Sequence, residues 1–129
     1  VIQSFEGDPK QLSPLVLAYV GDAVFELYIR TQLAAQRARV QALHKAAVQY
    51  VRAKSQAEIV HAWEPLLTEE EKEVVRRGRN ARSTAPKSAS VIEYKYSTGF
   101  EALLGYLYLS RREERLLELL SHVQVDLRD

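Results

Sequence analysis

Two acidic residues stand inside apolar helical segments where packing gives no reason for a charge. Asp22 sits in Leu17-Ala18-Tyr19-Val20-Gly21-Asp22-Ala23-Val24-Phe25-Glu26-Leu27-Tyr28, part of a stretch almost wholly apolar from Leu15 to Ile29. Glu101 sits in Phe100-Glu101-Ala102-Leu103-Leu104-Gly105-Tyr106-Leu107-Tyr108-Leu109, which repeats the pattern. An ionised carboxylate is costly to bury unless a cation, a donor or a metal compensates it. Small residues flank both acids (Ala18 and Gly21, Ala102 and Gly105), so the two helices could approach closely there. An interior glycine costs a helix about 1 kcal/mol relative to alanine, and close packing around a site would offset that. Carboxylates converging from two helices form an oxygen donor set suited to Mg²⁺, with Mn²⁺ able to substitute. Such an ion can generate hydroxide and stabilise phosphoryl charge, the needs of phosphodiester hydrolysis. Read singly, each acid is equally a hydrogen-bonded structural carboxylate. Read as a pair with small neighbours, they point to a site.

The elements that must position these acids are all helical, and no hairpin signal or internal repeat appears. Ser13-Pro14 predicts a start, serine as N-cap and proline at the first helical position, for a helix running to about Gln36. A second helical region is expected over Val40 to Ala62, interrupted near Ala53 and stopped before Pro65. Thr68-Glu69-Glu70-Glu71 reads as a capping box opening a helix that Gly78 closes. Arg79 to Ala89, with Asn80, Thr84 and Pro86 and no apolar period, is expected as a loop. Ser90-Val91-Ile92-Glu93 is a second capping box, starting the Glu101 helix. Ser110-Arg111-Arg112-Glu113 is a third, launching an amphipathic helix through Leu116, Leu117, Leu119, Leu120 and Val123.

At 129 residues, residues 1–129 are expected as one domain with a real hydrophobic core. The absence of cysteine excludes disulfides, thiolate zinc sites and a cysteine nucleophile, and fits a cytoplasmic location. The first ten residues carry Glu6 and Asp8 and do not resemble a signal peptide. The net charge of +1 says little by itself, but its distribution says more. Arg76, Arg77, Arg79, Arg82, Lys87 and Lys95 crowd into one stretch, which suggests a polyanionic partner on one face. The interleaved charges at Arg111, Arg112, Glu113, Glu114, Arg115 and Glu118 read as a solvated face. His44, His61 and His122 lack metal-ligand spacing and read as ordinary helix residues. Tyr94-Lys95-Tyr96 reads equally as an RNA-contacting surface or as tyrosines packed on the core. Trp63 beside Pro65 reads as a core or helix-end anchor.

The Asp22 segment resembles the signature helix of the ribonuclease III family, whose core reads L-E-F-L-G-D-A-V-L. The Glu101 segment resembles that family's second acidic helix, F-E-A-L-I-G-A-I-Y-L. Ala53-Lys54-Ser55-Gln56-Ala57-Glu58-Ile59 and Arg77-Gly78-Arg79-Asn80-Ala81-Arg82 are similar to the Mini-ribonuclease III subfamily, which carries no double-stranded-RNA-binding domain. The resemblance implies an all-α endonuclease domain, a metal-dependent homodimeric endoribonuclease for double-stranded RNA, and maturation of large-subunit (23S) precursor ribosomal RNA. It implies that Asp22 and Glu101 are metal-binding catalytic acids and that Tyr19 interlocks across a two-fold dimer axis. An apolar first helix, broader than one small domain can cover, agrees with a dimer. The basic residues from Arg76 to Lys95 would then contact the RNA. Two departures matter: the family glutamate four residues before the aspartate is Ala18, and the acid three before the glutamate is Thr98. A full four-carboxylate site is therefore not expected, and Glu26 is expected in a supporting or salt-bridge role. The alternative is a catalytically inactive module of the same fold that only holds structured RNA.

Overall fold

Ser13 begins the first long helix as expected: its side chain accepts a hydrogen bond from the Val16 amide at 3.2 Å, with Pro14 in the first turn. In the computed structural model, which describes residues 4–82, 84, 85, 87 and 90–127, six α-helices follow one another. They are α1 (Pro14–Ala34), α2 (Val40–Tyr50), α3 (Ala53–Trp63), α4 (Glu69–Asn80), α5 (Val91–Leu109) and α6 (Glu113–Leu120). No strand occurs among the described residues. Short 3₁₀ turns at Pro9–Gln11 and Glu64–Leu66 precede α1 and follow α3, the second carrying Pro65.

The hub is α5, which packs along α1, α4 and α3 and touches α6 at its end. Phe100, Leu103, Leu104 and Leu107 of α5 are fully enclosed. Phe100 meets Phe25 of α1 edge-on at 4.9 Å between ring centres, and Trp63 of α3 at 5.3 Å, contacts favoured by the ring quadrupoles. Trp63 is thus a core anchor, 1% exposed.

Glycine pairs set how closely the helices cross. A methyl group on Gly21 of α1 would fall 1.7 Å from the Glu101 carbonyl oxygen, and one on Gly105 of α5 would fall 1.9 Å from that of Leu17. The backbones of α1 and α5 therefore touch. A second crossing joins α4 to α5, where a methyl on Gly78 would meet the Gly99 Cα at 2.7 Å.

That contact corrects one expectation. Gly78 does not end α4; the helix runs on to Asn80, and Gly78 serves interhelical approach instead. The first helix stops at Ala34 rather than Gln36, and Arg37 then adopts a left-handed φ of 55°. The region from Val40 divides at Val51–Arg52, and α3 extends to Trp63. The Thr68 capping box forms in both directions, whereas Ser90 caps the Glu93 amide alone. The third capping box does not form. Ser110 instead closes α5, Arg111 takes a left-handed φ of 60°, and Arg112 precedes α6 without a side-chain cap. Arg79 and Asn80, expected in the loop, belong to α4, and Pro86 lies outside the described residues.

Candidate active site

The contact between Gly21 and the Glu101 backbone carries the side chain of the following residue, Asp22, to the Glu101 carboxyl. Two acids 79 positions apart in sequence thereby become neighbours through the absence of a Cβ. Asp22 is exposed and Glu101 is half-buried. This corrects the expectation of two buried acids, since α1 turns one side of its apolar stretch outward.

Burial is the largest influence on the Glu101 carboxyl, and the Asp22 charge within hydrogen-bonding reach adds to it; together they push its pKa up to about 8. Gln56 acts against both and draws it down. Gln56 belongs to α3, is 1% exposed, and its Oε1 accepts a hydrogen bond from the Ser97 hydroxyl, one turn before Glu101 on α5. Two hard oxygen donors whose charges oppose one another fit a divalent cation, which would relieve the repulsion. Among the described residues no third Asp, Glu, His or Cys joins them to make a cluster. Water and a phosphate oxygen would have to complete the coordination, the usual way Mg²⁺ is held.

The positions where the family pattern has further acids do other work here. Ala18 is buried in the hydrophobic core. Thr98 is buried and donates its hydroxyl to the Tyr94 carbonyl at 3.0 Å. Glu26 is ion-paired to Arg30 one turn on, the salt-bridge role expected for it.

The basic residues divide between two sides of α4. Arg76 and Arg79 line a cavity of about 210 Å³ with Lys72, His61 and Tyr96. Arg77 lines another of about 220 Å³, beside Lys10, Glu70 and Tyr106. Arg76 is held by both oxygens of Glu73, at 2.9 and 2.6 Å. The Arg79 guanidinium lies 4.9 Å over the Tyr96 ring and donates to its hydroxyl at 3.2 Å, while the His61 ring lies tilted against the same ring at 4.2 Å between centres. Arg82, Lys87 and Lys95 are exposed.

Two arginines read as solvated are structural. Arg115 binds Glu71, which is 2% exposed, through two hydrogen bonds of 2.7 and 2.8 Å and also donates to the Leu66 carbonyl. Arg112 pairs with Glu70, whose pKa falls to about 2 chiefly through that hydrogen bond, helped by one from Tyr106.

Sequence reasoning gave Gln56 and Ser97 no role. A signal existed: residues 56, 57, 60 and 63 form the buried face of α3, and glutamine is out of place among alanine, valine and tryptophan. Tyr19 is 82% exposed, in a stripe with Val16 and Leu27.

Comparison with known proteins agrees with this architecture. Residues 15–112 match the ribonuclease III domain. A Mini-ribonuclease 3 from Thermoanaerobacter sp. is 60% identical over 111 residues, covering 84% of this chain and 78% of that protein. A Mini-ribonuclease 3 from Symbiobacterium thermophilum is 54% identical over 115 residues, 88% of each chain. A crystal structure of a Fusobacterium nucleatum protein superposes with a TM-score of 0.84 at 34% identity, covering 91% of this chain and 97% of that one. The chain therefore belongs to the ribonuclease III family, in its Mini-ribonuclease 3 branch, and is an endoribonuclease.

Proposed function

We propose that this endoribonuclease is metal-dependent and cuts double-stranded RNA as a homodimer, with Asp22 and Glu101 as its catalytic acids. The observation that carries the reading is the meeting of these two carboxylates at the α1/α5 crossing. They would hold Mg²⁺, or Mn²⁺ in its place, which when bound supplies a water of lowered pKa and neutralises phosphoryl charge. Glu101, half-buried, keeps a fixed position, while exposed Asp22 faces the substrate side.

Double-stranded RNA offers phosphates and 2′-hydroxyls across a shallow minor groove, recognised by shape and charge. Arg82, Lys87 and Lys95 are exposed for such contacts, joined by Arg76, Arg77 and Arg79 at the end of α4. In a homodimer each protomer would hydrolyse one strand. The exposed apolar stripe of α1 supports such pairing, as does the adjoining cavity of about 550 Å³ lined by Val24, Leu27, Tyr28, Tyr108 and Leu117. Tyr19 projects from that stripe and would enter a partner's cavity. Precursor 23S ribosomal RNA is the proposed substrate and the cytoplasm the proposed location, both resting on the subfamily resemblance. Among the described residues no helix is long and apolar enough to cross a membrane.

The test is cleavage of a perfect RNA duplex with Mg²⁺. Discrete products are expected from the native protein. Asp22→Asn and Glu101→Gln keep size and remove charge, so both should lose cleavage while still binding the duplex. Near-normal cleavage by either variant places the chemistry elsewhere.

A further inference from the structure

Gln56 is buried between α3 and α5, yet its amide nitrogen has no partner at hydrogen-bonding geometry among the described residues. A buried donor left unsatisfied costs about 1–3 kcal/mol. Leucine or methionine would fill the same space beside Ala57, Val60 and Trp63 without that cost. The amide oxygen is committed to Ser97. Ser97 and Glu101 lie one turn apart on α5, so a carboxamide braced on Ser97 directs its other end toward Glu101.

The amide could in principle be turned over, since its oxygen and nitrogen are chemically distinguished only by their partners. Turned over, it would aim an acceptor oxygen at the Glu101 carboxyl, two acceptors facing each other once that group is ionised, as it must be to hold a cation. The orientation with the nitrogen toward Glu101 presents a donor to an anion and also keeps the Ser97 bond. The Glu101 carboxyl lies within reach of this amide.

We propose that Gln56 is a positioning residue for the active site: braced by Ser97, its amide N–H holds the Glu101 carboxylate in place beside Asp22. The inference rests on reading Asp22 and Glu101 as the catalytic pair. A glutamate has three rotatable side-chain bonds, and the neighbouring Asp22 charge repels it. A fixed donor behind it limits that freedom and readies it for a cation. Removing partners of this kind commonly costs 10- to 100-fold in metal affinity or activity.

The experiment compares Gln56→Leu and Ser97→Ala with the native protein. Gln56→Leu should lower single-turnover kcat on an RNA duplex by about 10- to 100-fold, with the duplex Kd unchanged. Its Mn²⁺ affinity by calorimetry should weaken in the same direction. Ser97→Ala, which leaves the amide but loosens its brace, should give a smaller loss of the same kind. Should Gln56→Leu fail to fold, Ser97→Ala and a direct measurement decide. In that measurement the Gln56 side-chain amide protons, followed by NMR in the native protein, should shift and exchange faster in Glu101→Ala. Native kcat and Mn²⁺ affinity in a folded Gln56→Leu, or an amide signal indifferent to Glu101→Ala, overturns the proposal. If Glu101→Gln is inactive while Gln56→Leu is native-like, this inference alone fails. If Glu101→Gln itself cleaves normally, the assignment of the catalytic pair has failed.

Discussion

With no cation bound, Glu101 holds a proton at a pH where an ordinary glutamate has lost it, because burial and the Asp22 charge both penalise ionisation. The consequence for stability has a definite sign. Unfolded, the group titrates near its ordinary value of 4.5; folded and metal-free, near about 8. Between these values the folded chain binds more protons than the unfolded one, so this group's stabilising contribution is full below the lower value and is lost as pH rises through the upper. Glu101→Gln has no such proton. In EDTA, the Tm of Glu101→Gln minus that of the native protein should therefore increase steadily from about pH 5 to about pH 8. A difference that stays flat across that range would show that Glu101 is not held in this strained company.

At the scale of helices, the molecule depends on two kinds of joint. One is the glycine crossing, where α1 meets α5 with no room for a methyl group. The other is ionic: Arg115, at the start of α6, reaches Glu71 in the first turn of α4 and the Leu66 carbonyl before it. Glu71 is nearly inaccessible to water and also completes the Thr68 capping box, so it cannot relax into solvent if its partner is lost. Arg115→Leu should lower stability by on the order of 3 kcal/mol, seen as a Tm drop of roughly 10 °C. Arg112→Ala breaks the more exposed pair with Glu70 and should cost less than about 1 kcal/mol. Equal effects from the two variants, measured by urea unfolding, would contradict the difference in burial.

For the whole molecule, the outward face of α1 and the basic surface make separate demands. Val16, Tyr19 and Leu27 remain exposed on one chain, and a large aromatic in water is a cost that a second copy would remove. The native protein is expected to scatter light as a dimer at micromolar concentration. Tyr19→Ala should shift that equilibrium toward monomer while its circular dichroism stays helical; a monomeric native protein that still cleaves would exclude the dimer. RNA capture belongs to the other surface. Arg79 is engaged with Tyr96, so its removal would disturb packing as well as charge. Arg82 and Lys87 are exposed, and neutralising both should flatten the salt dependence of duplex affinity by about two contacts' worth of released counterions. An unchanged salt slope would place the RNA path away from this segment.

Local features of the sequence determined much of this protein. The Ser13-Pro14 start, the Thr68 capping box and the apolar period of α5 are short-range effects, legible because each depends on residues within one or two turns. Asp22 and Glu101 stood out for the same reason, a charge in apolar company with glycine nearby. Tertiary packing decided what those local signals left open. Gly78 had the chemistry of a helix stop but is used to admit Gly99, since α5 rewards close approach more than α4 loses by including glycine. Ser110-Arg111-Arg112-Glu113 had the spacing of a capping box, but closing α5 consumed the serine. Arg115 looked like one member of a solvated row until it met Glu71 of α4, and Gln56, which had no evident role, is buried where α3 meets Ser97 of α5. Which acid meets which, and which face of α1 stays bare, depends on contacts between residues far apart in the chain, and those exist only once the helices have packed.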